Sequence, residues 1–141
     1  MSEIISPIYE AIAPYKDKVI VCLETAADYM GLSCGLVEPW YFRVFSESPI
    51  EGSKLTVEVL PGCFASKEVV EYFGLICTSE EQTLLDMLEY DDVDIQPMLE
   101  ALARYYFTHG ESFDALVSQM SDKQRAVFKE WRQDAIEYYN R

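Results

Sequence analysis

Apolar and polar residues alternate along this chain in two rhythms. "KVIVCLE" (18–24) is apolar residue after residue and reads as a buried strand, and "ETAADYMG" (24–31) as a short helix that Gly31 stops, since glycine most easily takes left-handed C-cap geometry. Ahead of them, "SPIYEAIAPYKD" holds one short helix ended by Pro14, which lacks an amide donor and clashes with the preceding turn. "WYFRVFS" (40–46) and "LTVEVL" (55–60) alternate with period two, Leu55, Val57 and Val59 facing one way and Thr56 and Glu58 the other. The connection, "ESPIEGSK" with Leu55 at its junction to the second run, makes a hairpin the expected arrangement.

After "LPGCFAS" the rhythm becomes helical. "SKEVVEYFG" reads as a short helix closed by Gly74, and "LICTS" as a brief strand leading into "TSEEQTLLDMLEY", where Thr78 and Glu81 have the spacing of a capping box. Leu84, Leu85 and Leu88 form that helix's buried side, while Gln82, Thr83, Asp86 and Tyr90 share another face on which Gln82 and Asp86 can hydrogen-bond. A further helix starts at Asp94, an N-cap type, tolerates Pro97 in its first turn and ends at Gly110; its stripe is Ile95, Leu99, Leu102 and Tyr106. "ESFDALVSQM" gives a short helix, and Ser121 with Gln124 caps a last one whose stripe is Phe128, Trp131, Ala135 and Tyr138. The expected class is α+β: a small, mainly antiparallel sheet in the N-terminal half, packed by a helical C-terminal half. At 141 residues one domain, 1–141, suffices.

Charge sharpens the picture. Against 25 acids stand 11 Lys and Arg, a net charge of −14, which opposes a phosphate backbone and argues against direct DNA binding. The excess is concentrated, because residues 68–103 hold ten acids and no Lys or Arg. Glu80, Glu81, Asp86, Glu89, Asp91, Asp92 and Asp94 therefore form a candidate docking surface for a basic partner, the plain alternative being a solvated helix face. No apolar run approaches the roughly 18 residues of a membrane span and the N-terminus is acidic, so the expectation is a cytoplasmic protein without a membrane partner.

Signals for chemistry are weak. Gly31-x-Ser33-x-Gly35 has nucleophile-elbow spacing, but it follows a helical segment where an elbow needs a strand, and His109 at a helix end is the chain's one histidine. Cys34 has no visible cation to activate it, and Cys22, Cys34, Cys63 and Cys77 lie 12, 29 and 14 positions apart, without a C-x-x-C pair for zinc, so they read as reduced and mostly buried. Adjacent acids such as Asp91 and Asp92 point apart and lack an EF-hand register. No phosphate-binding glycine motif is present. The expected protein is not an enzyme and has neither a metal nor a cofactor.

Three stretches, "VIVCLETAADYMGL", "TSEEQTLLDML" and "DIQPMLEALARYY", occur in the order and spacing of the antitoxin domain of AbiE-type toxin-antitoxin systems of phage abortive infection, and the chain resembles that family from about Val19 to Met120. The resemblance implies a non-enzymatic antitoxin that counteracts a nucleotidyltransferase-like toxin. Family members usually begin with a winged-helix DNA-binding domain; the eighteen residues before Val19 are too few for one and are taken as an extension. The usual acid-Arg-Thr reads Glu81-Gln82-Thr83 here, so an ion pair to Asp86 becomes a neutral-donor bond. Thr25, Thr83 and Asp86 match the pattern in a local role, capping and tying helix to sheet. Charge alone offers an alternative: a stand-alone acidic inhibitor, or a nucleic-acid mimic, acting on another basic enzyme.

Overall fold

Val19–Val21 forms a three-residue strand, β1, buried on both faces as its unbroken apolar run requires. Around it lie β2 (Arg43–Ser46), β3 (Thr56–Val59), β4 (Val69–Tyr72) and β5 (Leu75–Thr78), in the order β3-β2-β1-β5-β4. The computed structural model describes residues 6–33 and 42–140; Cys34, Gly35, Trp40 and Tyr41 lie outside the described residues. The α+β class holds, but the sheet is mixed: β1–β2 and β4–β5 pair antiparallel, β1–β5 and β2–β3 parallel.

Two expectations about strands fail for identifiable reasons. The segments 43–46 and 56–59 pair side by side in parallel, with Arg43 opposite Thr56, and are not a hairpin. Parallel pairing needs the chain to travel back along the strand, and four-residue strands make that trip short, roughly 13 Å, well within the reach of nine residues. The returning loop packs Ile50 and Leu55 against the core, so it is more than a linker. "VVEY", read as helix, is strand β4, and Gly74 is a hairpin turn instead of a helix stop. Phe73 (φ 42°) and Gly74 (φ 83°) both have positive φ, the signature of the two-residue turn whose twist matches its flanking strands.

Alternation along the strands separates two apolar clusters. Val19, Val21, Val44, Leu75 and Cys77 face one side, where Ile8 and Ile12 of helix α1 (Pro7–Ile12) cover them; Ile20 and Phe45 face the other. That second side carries α2 (Leu23–Tyr29), α4 (Glu80–Glu89), α5 (Ile95–Thr108) and α7 (Asp122–Ile136), while α3 (Cys63–Ser66) and α6 (Asp114–Val117) are single turns. Leu84, Leu85 and Leu88 are buried as their spacing requires, and the capping box of Ser121 with Gln124 is formed in both directions. At α4, however, the cap is Ser79, whose hydroxyl accepts from Gln82 N at 3.2 Å. Thr78 belongs to the end of β5, where its hydroxyl lies 2.6 Å from that of Thr83. Ile95 is not part of the buried stripe of α5: Met98, Leu99, Leu102 and Tyr105 are buried, while Ile95 is 55% exposed. Cys22, Cys63 and Cys77 are buried free thiols.

The β4–β5 turn gives a direct test. A methyl at Gly74 would stand 3.1 Å from the Tyr9 ring at a φ that side chains rarely adopt. Gly74→Ala should therefore cost about 1–2 kcal/mol in urea denaturation, and an unchanged midpoint would exclude this turn conformation.

Candidate functional site

Arg43 is the one strongly basic side chain of β2, and it points into the helical layer together with Phe45, two positions on. Its guanidinium meets three carboxylates from three elements: Glu24 in the first turn of α2 at 3.1 Å, Glu58 of β3 at 2.7 Å, and Asp92 in the α4–α5 turn at 3.1 Å. The Glu58 contact follows from register, because Arg43 lies opposite Thr56 and Glu58 is the next residue on the same face. Tyr90 places its ring under the guanidinium, 5.4 Å from centroid to carbon. Arg43's backbone is engaged as well, donating to Thr25 Oγ1 at 2.8 Å and accepting from Cys22 N at 3.3 Å. One residue thus ties the starts of α2 and β2, strand β3 and the α4–α5 turn together.

Burial disfavours charge on both partners. It works against the guanidinium, yet the bonds to Glu58 and the fields of Glu24 and Asp92 more than reverse this and raise its pKa. Burial raises the Glu24 carboxyl, with Arg43 opposing. A second pair lies beside the first: Lys67 Nζ is 2.7 Å from Asp86 Oδ1, above the Phe45 ring at 5.1 Å. Gln82 donates to the same Asp86 oxygen at 3.0 Å, the bond expected from spacing, and accepts from Glu68 N at 3.2 Å. Burial raises the Asp86 carboxyl, and the Lys67 bond opposes it. Arg43 Nε and Asp86 Oδ2 are buried without a hydrogen-bond partner among the described residues.

The seven acids proposed as one docking surface are distributed otherwise. Asp86 is 3% exposed and bound to Lys67, so it cannot meet a partner; Leu84 and Leu85 beside it bring that face of α4 into the core. Glu81 accepts from Tyr105 at 2.6 Å and from Gln119 at 3.0 Å, and those two bonds lower its pKa. Glu80 lies 3.7 Å from His109 Nε2. Lys123 reaches Glu89 at 3.8 Å and Asp91 at 3.7 Å, and also bonds Glu89 O at 2.8 Å. Asp92, although 69% exposed, holds Arg43. Asp94 caps α5 by position only, with no side-chain bond to the first turn. Glu89, Asp91 and Asp94, with the outer edge of Asp92, are what remains facing outward around the α4–α5 turn.

That turn borders an apolar depression of about 230 Å³. Tyr90, Val93, Ile95 and Met98 line it from one side, Val127 and Trp131 of α7 from the other, and Asp91 stands at its edge. Lys123 and Gln124, which bonds Leu85 O at 3.0 Å, clip the start of α7 to the end of α4.

The hydrolase-like spacing has a different outcome. A sharp strand-to-helix turn exists, but at the junction of β1 and α2, where Leu23 takes φ 53° and is fully buried. Ser33 comes after α2, with its backbone N–H donating to Ala27 O at 3.2 Å. His109 occupies the C-cap of α5, bonding Tyr105 O at 2.8 Å and stacking on the Tyr105 ring at 3.9 Å. Among the described residues no helix is long and apolar enough to cross a membrane. Set against known proteins, the chain finds no counterpart, since no family model, curated protein or solved structure matches it.

Arg43, Glu24, Glu58 and Lys67 were not among the residues singled out from sequence. The available signal was an arginine inside the apolar strand run "FRVFS", which must find carboxylates if that strand is covered. Lys67→Met keeps an apolar stem near Phe45 and leaves Asp86 unpaired, so stability at pH 7 should fall by about 3 kcal/mol. The Asp86 pKa, already raised, then rises further; the folded state tolerates the protonated acid, so the penalty is present above that pKa and fades as pH falls through it. Urea midpoints should therefore differ less from wild type near pH 5 than near pH 7, and a gap that stays constant would show that Asp86 is not the group responsible.

Proposed function

We propose that this is a non-enzymatic, antitoxin-like protein that counteracts a nucleotidyltransferase-type toxin by binding, and that the acidic α4–α5 turn is the part that meets it. The observation that carries this reading is how the motif residues are used. Thr25 bonds Arg43 N, Thr83 bonds Thr78, and Asp86 bonds Lys67, so the polar positions behind the family resemblance build one buried framework. Function then falls to what the framework displays. Glu89, Asp91 and Asp94 are displayed, on a segment whose surplus of charge suits the basic cleft of an enzyme that handles nucleotide phosphates.

A nucleic-acid mimic fits less well, because it needs acids spaced along a track. Here the acids of the α4–α5 turn stand beside an apolar depression, a feature that a phosphate backbone does not present.

The test is growth rescue. Cells expressing a nucleotidyltransferase-type toxin encoded beside this protein should grow when it is co-expressed. Reversing Glu89, Asp91 and Asp94 to Lys should abolish rescue while shifting melting by no more than about 3 °C, since exposed pairs such as Lys123–Asp91 contribute little to stability. Asp92 is left intact in this variant, as reversal there would set a second cation against buried Arg43. Undiminished rescue by the triple variant would defeat the electrostatic reading.

A further inference from the structure

The depression beside the acidic turn has a shape and composition of its own. Its floor and walls are apolar, and Ile95, at the first position of α5, is 55% exposed where the helix's other large apolar residues are mostly covered. At about 230 Å³ it lies below the roughly 300–1,000 Å³ of sites that enclose small molecules, and is the right size for one or two large side chains. One wall is α7 and the other is the α4–α5 turn with the first turn of α5, and no strand borders the depression. An extended peptide would find no open edge here, because the free edges of the sheet belong to β3 and β4. Charge completes the description. Asp91 has a side chain 91% exposed at the rim, Asp92 and Asp94 follow on the same turn, and Glu130 is exposed on α7 next to Trp131. Lys123 closes one end, paired with Glu89 and Asp91.

We propose that the groove between the α4–α5 turn and α7 receives an amphipathic helix of the partner, with bulky apolar residues on one face and Lys or Arg flanking them. This rests on the reading that the protein acts by binding a basic partner, and specifies how. The apolar anchors displace water from Ile95, Val93 and Trp131 and provide affinity, while the flanking cations meet Asp91, Asp92, Asp94 and Glu130 and provide orientation. Neither feature is sufficient alone, so binding must depend on both.

The probe is a synthetic Leu/Lys peptide with Leu at positions i, i+3, i+4 and i+7, compared with a scrambled peptide of identical composition, titrated by fluorescence anisotropy against the full chain. The patterned peptide should bind about tenfold or more tightly than the scramble. Ile95→Ser should remove most of that advantage with melting unchanged, and Asp91→Asn with Asp94→Asn should weaken binding and flatten its salt dependence. Phe73→Ser, which changes a still more exposed apolar residue at the β4–β5 turn, should alter nothing. Equal binding of the scramble, or indifference to Ile95→Ser, overturns the groove. Growth rescue separates the two proposals: patterned binding with no rescue by the wild type defeats the antitoxin reading alone, whereas rescue that survives Ile95→Ser defeats the groove alone.

Discussion

A single buried guanidinium, on the Arg43 side chain that is 8% exposed, lies in a molecule with a net charge of −14, and its three carboxylate partners come from elements far apart in sequence. A buried cation is strongly unfavourable until it is surrounded, so the arrangement is close to all-or-none. Glu24 requires α2 to begin at the end of β1; Glu58 requires β3 to lie parallel and in register beside β2; Asp92 requires the chain to turn after α4 at that place. Leu23 takes φ 53° in the turn from β1 into α2, the turn after which Glu24 and Thr25 both reach Arg43.

The concentration of acids in residues 68–103 looks different in this light. A segment with ten acids and no Lys or Arg cannot neutralise itself, and in the fold it draws cations from outside: Lys67 to Asp86, Arg43 to Asp92, and Lys123 to Glu89 and Asp91. The first two pairs join the helical layer to the sheet, and the third joins α4 to α7. Charge that appeared to be a continuous exterior is thus partly the internal fastening of the molecule. Of the outward remainder, Asp91, Asp92 and Asp94 share one turn, next to Ile95, the most exposed of the large apolar residues of α5.

Much of the helical layer was legible from the chain. The Leu84–Leu88 face, the Ser121–Gln124 capping box and the Phe128–Ala135 stripe depend on spacing within a few residues, and local spacing is what a sequence displays. The sheet was less legible, because strand direction depends on partners the pattern does not name. "VVEY" has helical neighbours in sequence, yet its β-branched pair and the Phe73–Gly74 turn after it favour a strand, and Gly74 serves a hairpin turn as readily as a helix end. Thr78 and Ser79 show the same limit, since either can cap α4 by spacing and the pairing of β5 decides that Thr78 is the strand's last residue. At the site itself, Asp86 was recognised as a motif position but placed on the surface. Spacing assigns it to a face of α4, and only the sheet's position reveals that Lys67 and Phe45 cover that face.

Residues kept in a fixed spacing invite the inference that they act on a substrate or partner, whereas here Thr25, Thr83 and Asp86 each bond to the protein's own backbone or side chains. Gln82 fits the same pattern from the other direction. A glutamine bridges Asp86 and the amide of Glu68, and Lys67 supplies the cation at the same Asp86 oxygen. The ionic bond to Asp86 thus comes from outside α4, from Lys67, two residues before β4. Polar side chains buried and bonded to one another in this way serve the framework, and partner recognition must be sought on the turn and groove that the framework holds in place.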